Sequence, residues 1–155
     1  MEQFRATERA LRVGGIVPKS TFQIGGAGAV GTGSVRGWPH LTRLRKEGYA
    51  VWPFDAPASP RVVVEVWPRL CTGPVVKSDP LARVAYLREH LGHVRGDERD
   101  LMCASEDAFD AACTALVMAE HAASFTHLGL PADDPEGVAR REGWVWSPPA
   151  SRSRR

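Results

Sequence analysis

The sequence has no long apolar segment and few cysteines, and each absence excludes a class of protein. The longest uncharged apolar run in the C-terminal half is Ala111–Ala119, far shorter than the roughly 20 residues that span a bilayer. Residues Met1–Arg5 lack the apolar core of a secretion signal, so we expect a cytoplasmic protein with no membrane partner. Cys71, Cys103 and Cys113 include no C-x-x-C pair, which favours reduced, mostly buried thiols over a disulfide scaffold.

Familiar catalytic motifs are also missing. No G-x-S-x-G segment is present, and His90 and His93 have no matching Cys or His cluster for zinc. The glycine-rich segment 25–33 contains a G-x-G-x-x-G pattern, but Pro39 falls where the helix after a dinucleotide loop should run unbroken. A nucleotide-binding module is therefore the least favoured of three hypotheses. The glycines are expected to serve a tight turn or a close approach of backbone segments.

The charges that are present are unevenly distributed along an otherwise ordinary globular composition. Residues 1–50 hold eight Lys/Arg against three acids (net +5), residues 51–100 balance at seven and seven, and residues 101–155 hold five against eight (net −3), which sums to +2. A basic first third could face phosphates, or it could be an ordinary solvated surface. The final segment 147–155 is expected to be a disordered basic tail after a single domain over 1–146.

Apolar spacing predicts alternating strands and helices, and so an α/β fold. Valine on both faces of Arg61–Trp67 is typical of a strand buried on both sides. Shorter extended segments are expected at Thr21–Ile24, Tyr49–Trp52 and Trp144–Trp146, and a charged loop at 92–100. The predicted helices are residues 1–12, a helix that starts between Ser34 and Pro39 and ends at Gly48, residues 79–91 capped by Ser78, residues 106–123 capped by Ser105, and a short helix from Asp134-Pro135.

Three acidic residues are candidates for chemistry. Glu65 lies in the valine-rich strand, where it is costly to bury unless it is paired, although its face could simply be half exposed. Asp107 and Asp110 are three residues apart and so share a helix face, where a divalent cation would relieve their repulsion. The alternative is that the helix dipole favours acids in a first turn, which explains Glu106 and Asp107 better than Asp110.

Six segments, in order along the chain, resemble the bacterial family catalogued as domain of unknown function 429, a predicted nuclease with an RNase H fold. They are Pro18–Gln23, Gly28–Ser34, Val51–Asp55, Val64–Pro68, Ser105–Ala111 and Glu142–Trp146. The resemblance implies a ribonuclease H-like α/β fold over residues 1–146. It also implies hydrolysis of phosphodiesters with Mg²⁺ or Mn²⁺ as the cofactor.

The same resemblance suggests roles for individual residues. Glu65 would match the acid of a later strand, and Asp107 and Asp110 the acids of the last core helix. All three would be metal ligands and catalytic residues. The candidate phosphate contacts, chosen on charge alone, are Lys19, Arg36, Arg69 and Lys77.

The sequence departs from the family pattern at its start. Family members begin with a strand bearing G-(I/V)-D, whose Asp is a central metal ligand, and no counterpart is found here, so we expect the fold to be truncated at the N-terminal β-hairpin. Two hypotheses follow: a metal-dependent nuclease or the C-terminal portion of one, and an inactive remnant that binds nucleic acid or another protein. A missing strand would also expose a sheet edge, through which a homo-oligomer or a partner could form.

Overall fold

The computed structural model describes residues 3–26, 29–132, 134 and 137–149 and is a mixture of helices and short parallel strands, roughly α/β in class. The chain divides into two compact units. One comprises 1–66 with 122–146, and the other comprises 67–121 with the residues from 147 onward. In the first unit the elements are α1 (Ala6–Ala10), α2 (Gly31–Lys46), β1 (Ala50–Val51), β2 (Val62–Val63), β3 (Glu65–Val66), a 3₁₀ helix (Ala122–His127), α7 (Ala139–Glu142) and β4 (Val145–Trp146). In the second they are α3 (Arg69–Thr72), α4 (Pro80–His90), α5 (Gly96–Cys103) and α6 (Glu106–Glu120).

The predicted strand Arg61–Trp67 is present as β2 and β3, which are separated at Val64. Strand β2 pairs in parallel with β1, with Val62 opposite Ala50, and β3 pairs in parallel with β4, with Glu65 opposite Val145. The valines on both faces are half-buried rather than fully buried. The reason is that each half of the segment pairs with a strand of only two residues, which covers little of it.

The core of the first unit lies around its two sheets, which each have two strands. Val51, Trp52, Phe125, Val145 and Trp146 are all buried. The rings of Phe125 and Trp146 are 5.1 Å apart, and the indole N–H of Trp52 donates to the carbonyl of Gly129 at 3.0 Å. The predicted extended segment Trp144–Trp146 is thus confirmed, and its last two residues form β4.

Helix α2 begins earlier than predicted and encloses Pro39, which was expected only in a first turn. Gly31 makes the earlier start feasible, since its N–H donates to the carbonyl of Gln23 at 3.0 Å. A Cβ at Gly31 would lie only 2.4 Å from the carbonyl oxygen of Thr21, so the predicted close approach of backbone segments is confirmed here. Residues Thr21–Ile24 form a turn and irregular backbone rather than the predicted strand, because they lie against the first turn of α2.

The other ends of the helices in the first unit differ from prediction in smaller ways. Helix α1 covers only Ala6–Ala10 of the predicted 1–12, of which residues 1 and 2 lie outside the described residues. Gly48 follows the C-cap of α2 with φ +88°, as expected for a terminating glycine. The predicted start of the last helix at Asp134-Pro135 falls partly outside the described residues, and the helix itself runs over Ala139–Glu142.

The helices of the second unit follow their capping residues closely. Asp79, not Ser78, caps α4 by accepting from the N–H of Leu81 at 2.8 Å, because Pro80 fits the first helical position. Ser105 caps α6 as predicted, accepting from the N–H of Ala108 at 3.0 Å, although α6 ends at Glu120. The predicted loop 92–100 was wrong in its second half, where Glu98 accepts from the N–H of Arg95 and α5 begins.

Apolar side chains of α4, α5, α6 and the α4–α5 connection form the core of the second unit. The core residues are Leu87, Val94, Met102, Phe109 and Cys113. All three cysteines are free thiols, as predicted, but only Cys113 is buried. The tail prediction falls largely on residues 150–155, which lie outside the described residues. Within the part of the chain that is described, no helix is long and apolar enough to cross a membrane.

Candidate functional site

Glu65 is both half exposed and paired. Of its side chain 42% is exposed. Each carboxylate oxygen accepts a hydrogen bond from a terminal nitrogen of Arg5, at 2.7 and 2.5 Å. The guanidinium is buried, and its Nε donates to the buried Glu8 at 2.9 Å. Burial by itself would lower the pKa of Arg5, but the hydrogen bonds and charges of Glu65 and Glu8 outweigh it and raise that pKa.

The contacts of Arg5 belong to a larger set of hydrogen bonds that joins α1 to the β3–β4 sheet and to α7. Glu142 accepts from the N–H of Ala6 at 2.9 Å, and its carbonyl accepts from Arg5 at 3.3 Å. The hydroxyl of Thr7 accepts from the N–H of Val145 at 3.2 Å. Glu65 therefore has a structural role here, since through Arg5 it links β3 to the start of α1. Arg5 and Glu65 are 60 residues apart, so no local sequence pattern marks them as partners.

Asp110 forms a second, partly buried ion pair, with the ammonium of Lys77. The exposed fractions of the two side chains are only 14% for Lys77 and 19% for Asp110. One oxygen of Asp110, Oδ1, is buried and accepts no hydrogen bond from the described residues. Lys77 was predicted to contact phosphate, so it would have to leave this carboxylate to do so.

The three predicted acids are divided between the two units of the chain. Asp107 is exposed in the first turn of α6, where the helix dipole favours it. It belongs to the second unit with Asp110, whereas Glu65 belongs to the first. Among the described residues no three His, Cys, Asp or Glu side chains come together in a way that could hold a metal ion. Glu65 and Asp110 are each paired with a cation here, so the binding of Mg²⁺ or Mn²⁺ that the resemblance implies stays a prediction.

The thiols near Asp110 are poor nucleophiles. Burial, together with the negative charge of Asp110, raises the pKa of Cys113 to about 12. Burial also raises the pKa of Cys71. A hydrogen bond with the Thr114 hydroxyl opposes this rise, and the negative charge of Asp110 adds a smaller increase. Because the thiolate is the reactive form, these side chains stay protonated near neutral pH and unreactive.

Helix α2 presents the most concentrated positive charge of the first unit. No Asp or Glu occurs between Glu8 and Glu47, and the intervening 9–46 carry seven Lys or Arg. On α2 the exposed cations are Arg36, Arg43, Arg45 and Lys46. Arg43 lies 3.6 Å from Glu47, a largely exposed pair, and Arg45 lies 2.5 Å from Asp55. Such exposed pairs are weak and easily exchanged.

The exposed side of α2 also carries a tryptophan. Trp38 is 66% exposed and Val35 is 58% exposed, whereas Leu41 and Leu44 are half-buried. A repeat of three residues drifts around a helix with 3.6 residues per turn, so the four apolar side chains cannot all face inward. We call the exposed residues Arg36, Trp38, Arg43, Arg45 and Lys46 the α2 cationic face.

The other predicted phosphate contacts have different surroundings. Arg36 makes no ion pair with any described residue, and Lys19 is exposed. Arg69 instead donates to the carbonyl of Val75 at 2.5 Å, so this guanidinium is held by its own backbone. Of the four predicted contacts, only Arg36 and Lys19 therefore present an available cation. The signal that could have pointed to α2 is the lack of acids over 9–46.

Compared with known proteins, the chain matches no family model, no curated protein sequence and no solved structure.

Proposed function

We propose that this chain binds nucleic acid through the α2 cationic face. The observation that carries the proposal is an exposed helix with four Lys or Arg, no acid and an exposed tryptophan. Arg36 and Arg43 are seven residues apart, which places them on one side of the helix about 10 Å from each other along its axis. Two guanidinium groups so spaced could contact neighbouring phosphates of one strand.

Phosphate binding would depend strongly on salt. Each phosphate that a protein cation neutralises releases condensed counterions, so affinity falls with salt by a slope of about 0.7 per contact for single strands and about 0.9 for duplexes. Arg36 is available for such a contact without breaking an ion pair. Arg43 has only to leave Glu47, an exposed partner.

The test is a titration of a fluorescently labelled oligonucleotide at several salt concentrations, read by anisotropy. We expect R36Q/R43Q to weaken binding about tenfold and to reduce the salt slope by about 1.4 for two contacts to a single strand. The matched control is R88Q/R140Q, which removes the same charge from exposed residues of α4 and α7. Equal losses in the two double variants would show non-specific attraction only and would overturn the proposal.

A metal-dependent nuclease with an RNase H-like fold is the second candidate. The observation in its favour is the buried Oδ1 of Asp110, an acceptor without a donor among the described residues. Glu65, Asp107 and Asp110 would then be the acids on which cleavage depends. Arg5 and Lys77 would have to release their carboxylates first.

This candidate is tested by assaying cleavage of labelled DNA and RNA with Mg²⁺ or Mn²⁺. We expect D110N to abolish any divalent-dependent cleavage. D100N, which changes an exposed acid of α5, is expected to leave it intact. Absence of cleavage by the unaltered chain, or cleavage that persists in D110N, would remove the nuclease proposal and leave nucleic-acid binding unaffected.

A further inference from the structure

The exposed indole of Trp38 specifies which form of nucleic acid the α2 cationic face would take. We infer that the face binds single strands, with an unpaired base stacked on Trp38 and the adjoining phosphates on Arg36 and Arg43. The inference rests on the proposed function and adds the substrate class to it. Stacking on an aromatic ring is available to every base, so this mode does not require a particular sequence.

Trp38 is exposed in spite of the large apolar area of an indole. Two thirds of it faces solvent, although a buried tryptophan would contribute considerably to stability. The nearest polar side chain on the next turn, Thr42, donates to the carbonyl of Trp38 at 3.2 Å and so turns back to the helix. An exposed indole on a helix surface that also carries exposed guanidinium groups is a combination found on stacking platforms for single strands.

The positions around the helix suit a nucleotide that lies across it. At 100° per residue, Trp38 and Arg45 share one edge of the exposed side, and Arg36 and Arg43 lie at the other edge. The two edges are about 140–160° apart around the helix, so a strand with a base on Trp38 crosses the exposed side before its following phosphates meet Arg36 and Arg43. In a duplex the faces of the bases are already stacked on each other, so Trp38 would find only base edges.

Helix α2 is held at both ends, so the face is preformed. At its start Gly31 donates to Gln23, and the hydroxyl of Thr32 donates to the carbonyl of Ile24 at 2.8 Å. Just after its end the N–H of Ala50 donates to the carbonyl of Arg61 at 2.9 Å, which ties the chain that leaves the helix to β2. A face that does not have to order itself loses less entropy on binding.

The experiment compares two substitutions of Trp38 on matched ligands. W38F keeps an aromatic face and W38L keeps only apolar area, and neither removes a packed core residue. The ligands are a labelled 20-nucleotide oligothymidine strand, the same strand with abasic sites throughout, a 20-base-pair duplex, and vesicles of phosphatidylglycerol and phosphatidylcholine. Unfolding curves for each variant confirm that the fold is retained.

The expected result has three parts. W38L weakens binding of oligothymidine about tenfold, while W38F stays within about threefold. Neither substitution changes binding of the abasic strand, which retains the phosphates and lacks the stacking partner. The duplex binds more weakly than oligothymidine and is insensitive to W38L.

The outcomes that overturn the inference are distinct from those that overturn the proposed function. Equal binding of duplex and single strand, or no effect of W38L, disproves base stacking on Trp38. The proposed function survives that result if R36Q/R43Q still weakens binding. Weaker binding of the abasic strand by W38L also disproves base stacking, because the indole would then contribute without a base to stack on. Binding to the vesicles and to none of the oligonucleotides removes both proposals in favour of a lipid surface.

Discussion

Each unit contains an ion pair, fully buried in the first and partly buried in the second, and the two pairs are built differently. In the first unit Arg5 donates to Glu8, Glu65 and the carbonyl of Glu142, so all three nitrogens of its guanidinium are hydrogen-bonded. In the second unit Lys77 has Asp110 as its carboxylate partner, and one oxygen of Asp110 has no donor among the described residues. The first is a network that depends on one residue. The second is a simple pair that could be replaced by apolar side chains.

The largest expected effect is that of Arg5→Met. This change leaves Glu8, whose side chain is 1% exposed, without its cation, and such uncompensated charges cost about 3–5 kcal/mol. Urea unfolding followed by tryptophan fluorescence checks it, since Trp38, Trp52, Trp144 and Trp146 all belong to the first unit. Arg140→Met, on the exposed side of α7, is the control and should change stability by less than about 0.5 kcal/mol. R5M stability equal to that of the control would disprove the network.

Removal of Lys77 should cost less and should be reversible by a second substitution. Lys77→Met leaves Asp110 unpaired, with an expected loss of about 2–3 kcal/mol. K77M/D110L should recover at least half of this loss, because neither charged group has another hydrogen-bond partner among the described residues. R5M/E65L should recover little, because Glu8 stays buried without its cation. The free energies of unfolding are measured by urea unfolding followed by circular dichroism at 222 nm. Equal recovery of stability in the two double variants would contradict the difference between the two ion pairs.

The exposed pair between Arg45 and Asp55 should show a smaller, pH-dependent effect. Burial would raise the pKa of Asp55, but the N–H of Val51 and the guanidinium of Arg45 together lower it below the usual value. A folded-state pKa below the unfolded one contributes stability above the unfolded pKa of about 3.9, which is lost as pH falls through the folded pKa. Asp55→Asn should therefore cost about 1 kcal/mol at pH 7 and nothing at pH 2. A difference in unfolding free energy that stays constant between pH 7 and pH 2 would contradict this explanation.

The smallest effect concerns the thiols around Asp110. Because the pKa of Cys113 is raised to about 12, its alkylation by iodoacetamide at pH 8 should be far slower in the folded protein than in urea. Peptide mass spectrometry after timed labelling gives the rate for each cysteine. Labelling of Cys113 at the unfolded rate in native buffer would show that the second unit opens readily.

Local signals predicted much of the fold, and long-range contacts account for the errors. Ser105, Gly48 and the Trp144–Trp146 segment were placed correctly because a cap, a terminating glycine or an apolar run acts within a few residues. The start of α2 depends on the contact of Gly31 with Thr21, which no periodicity shows. Helix α5 was missed because its charged sequence resembles a loop.

The candidate site was predicted less well than the fold. The acids of interest could be chosen from the sequence, but their partners could not. Arg5 lies 60 residues from Glu65, and Lys77 lies 33 residues from Asp110. The sequence does not distinguish a carboxylate that pairs with a Lys or Arg side chain from one that binds a metal ion. The metal ligands and the sheet-edge partner remain predictions.

The reach of Arg5 has a consequence for synthesis on the ribosome. Arg5 and the carbonyl it binds at Glu142 are separated by 137 residues, and at about 5–20 residues per second they emerge on the order of ten seconds apart. Throughout that interval Glu8 has a partner in Arg5 but α7 and β4 do not yet exist. Residues 67–121 of the second unit form one uninterrupted stretch, so they can fold while the first unit still waits for its final strand.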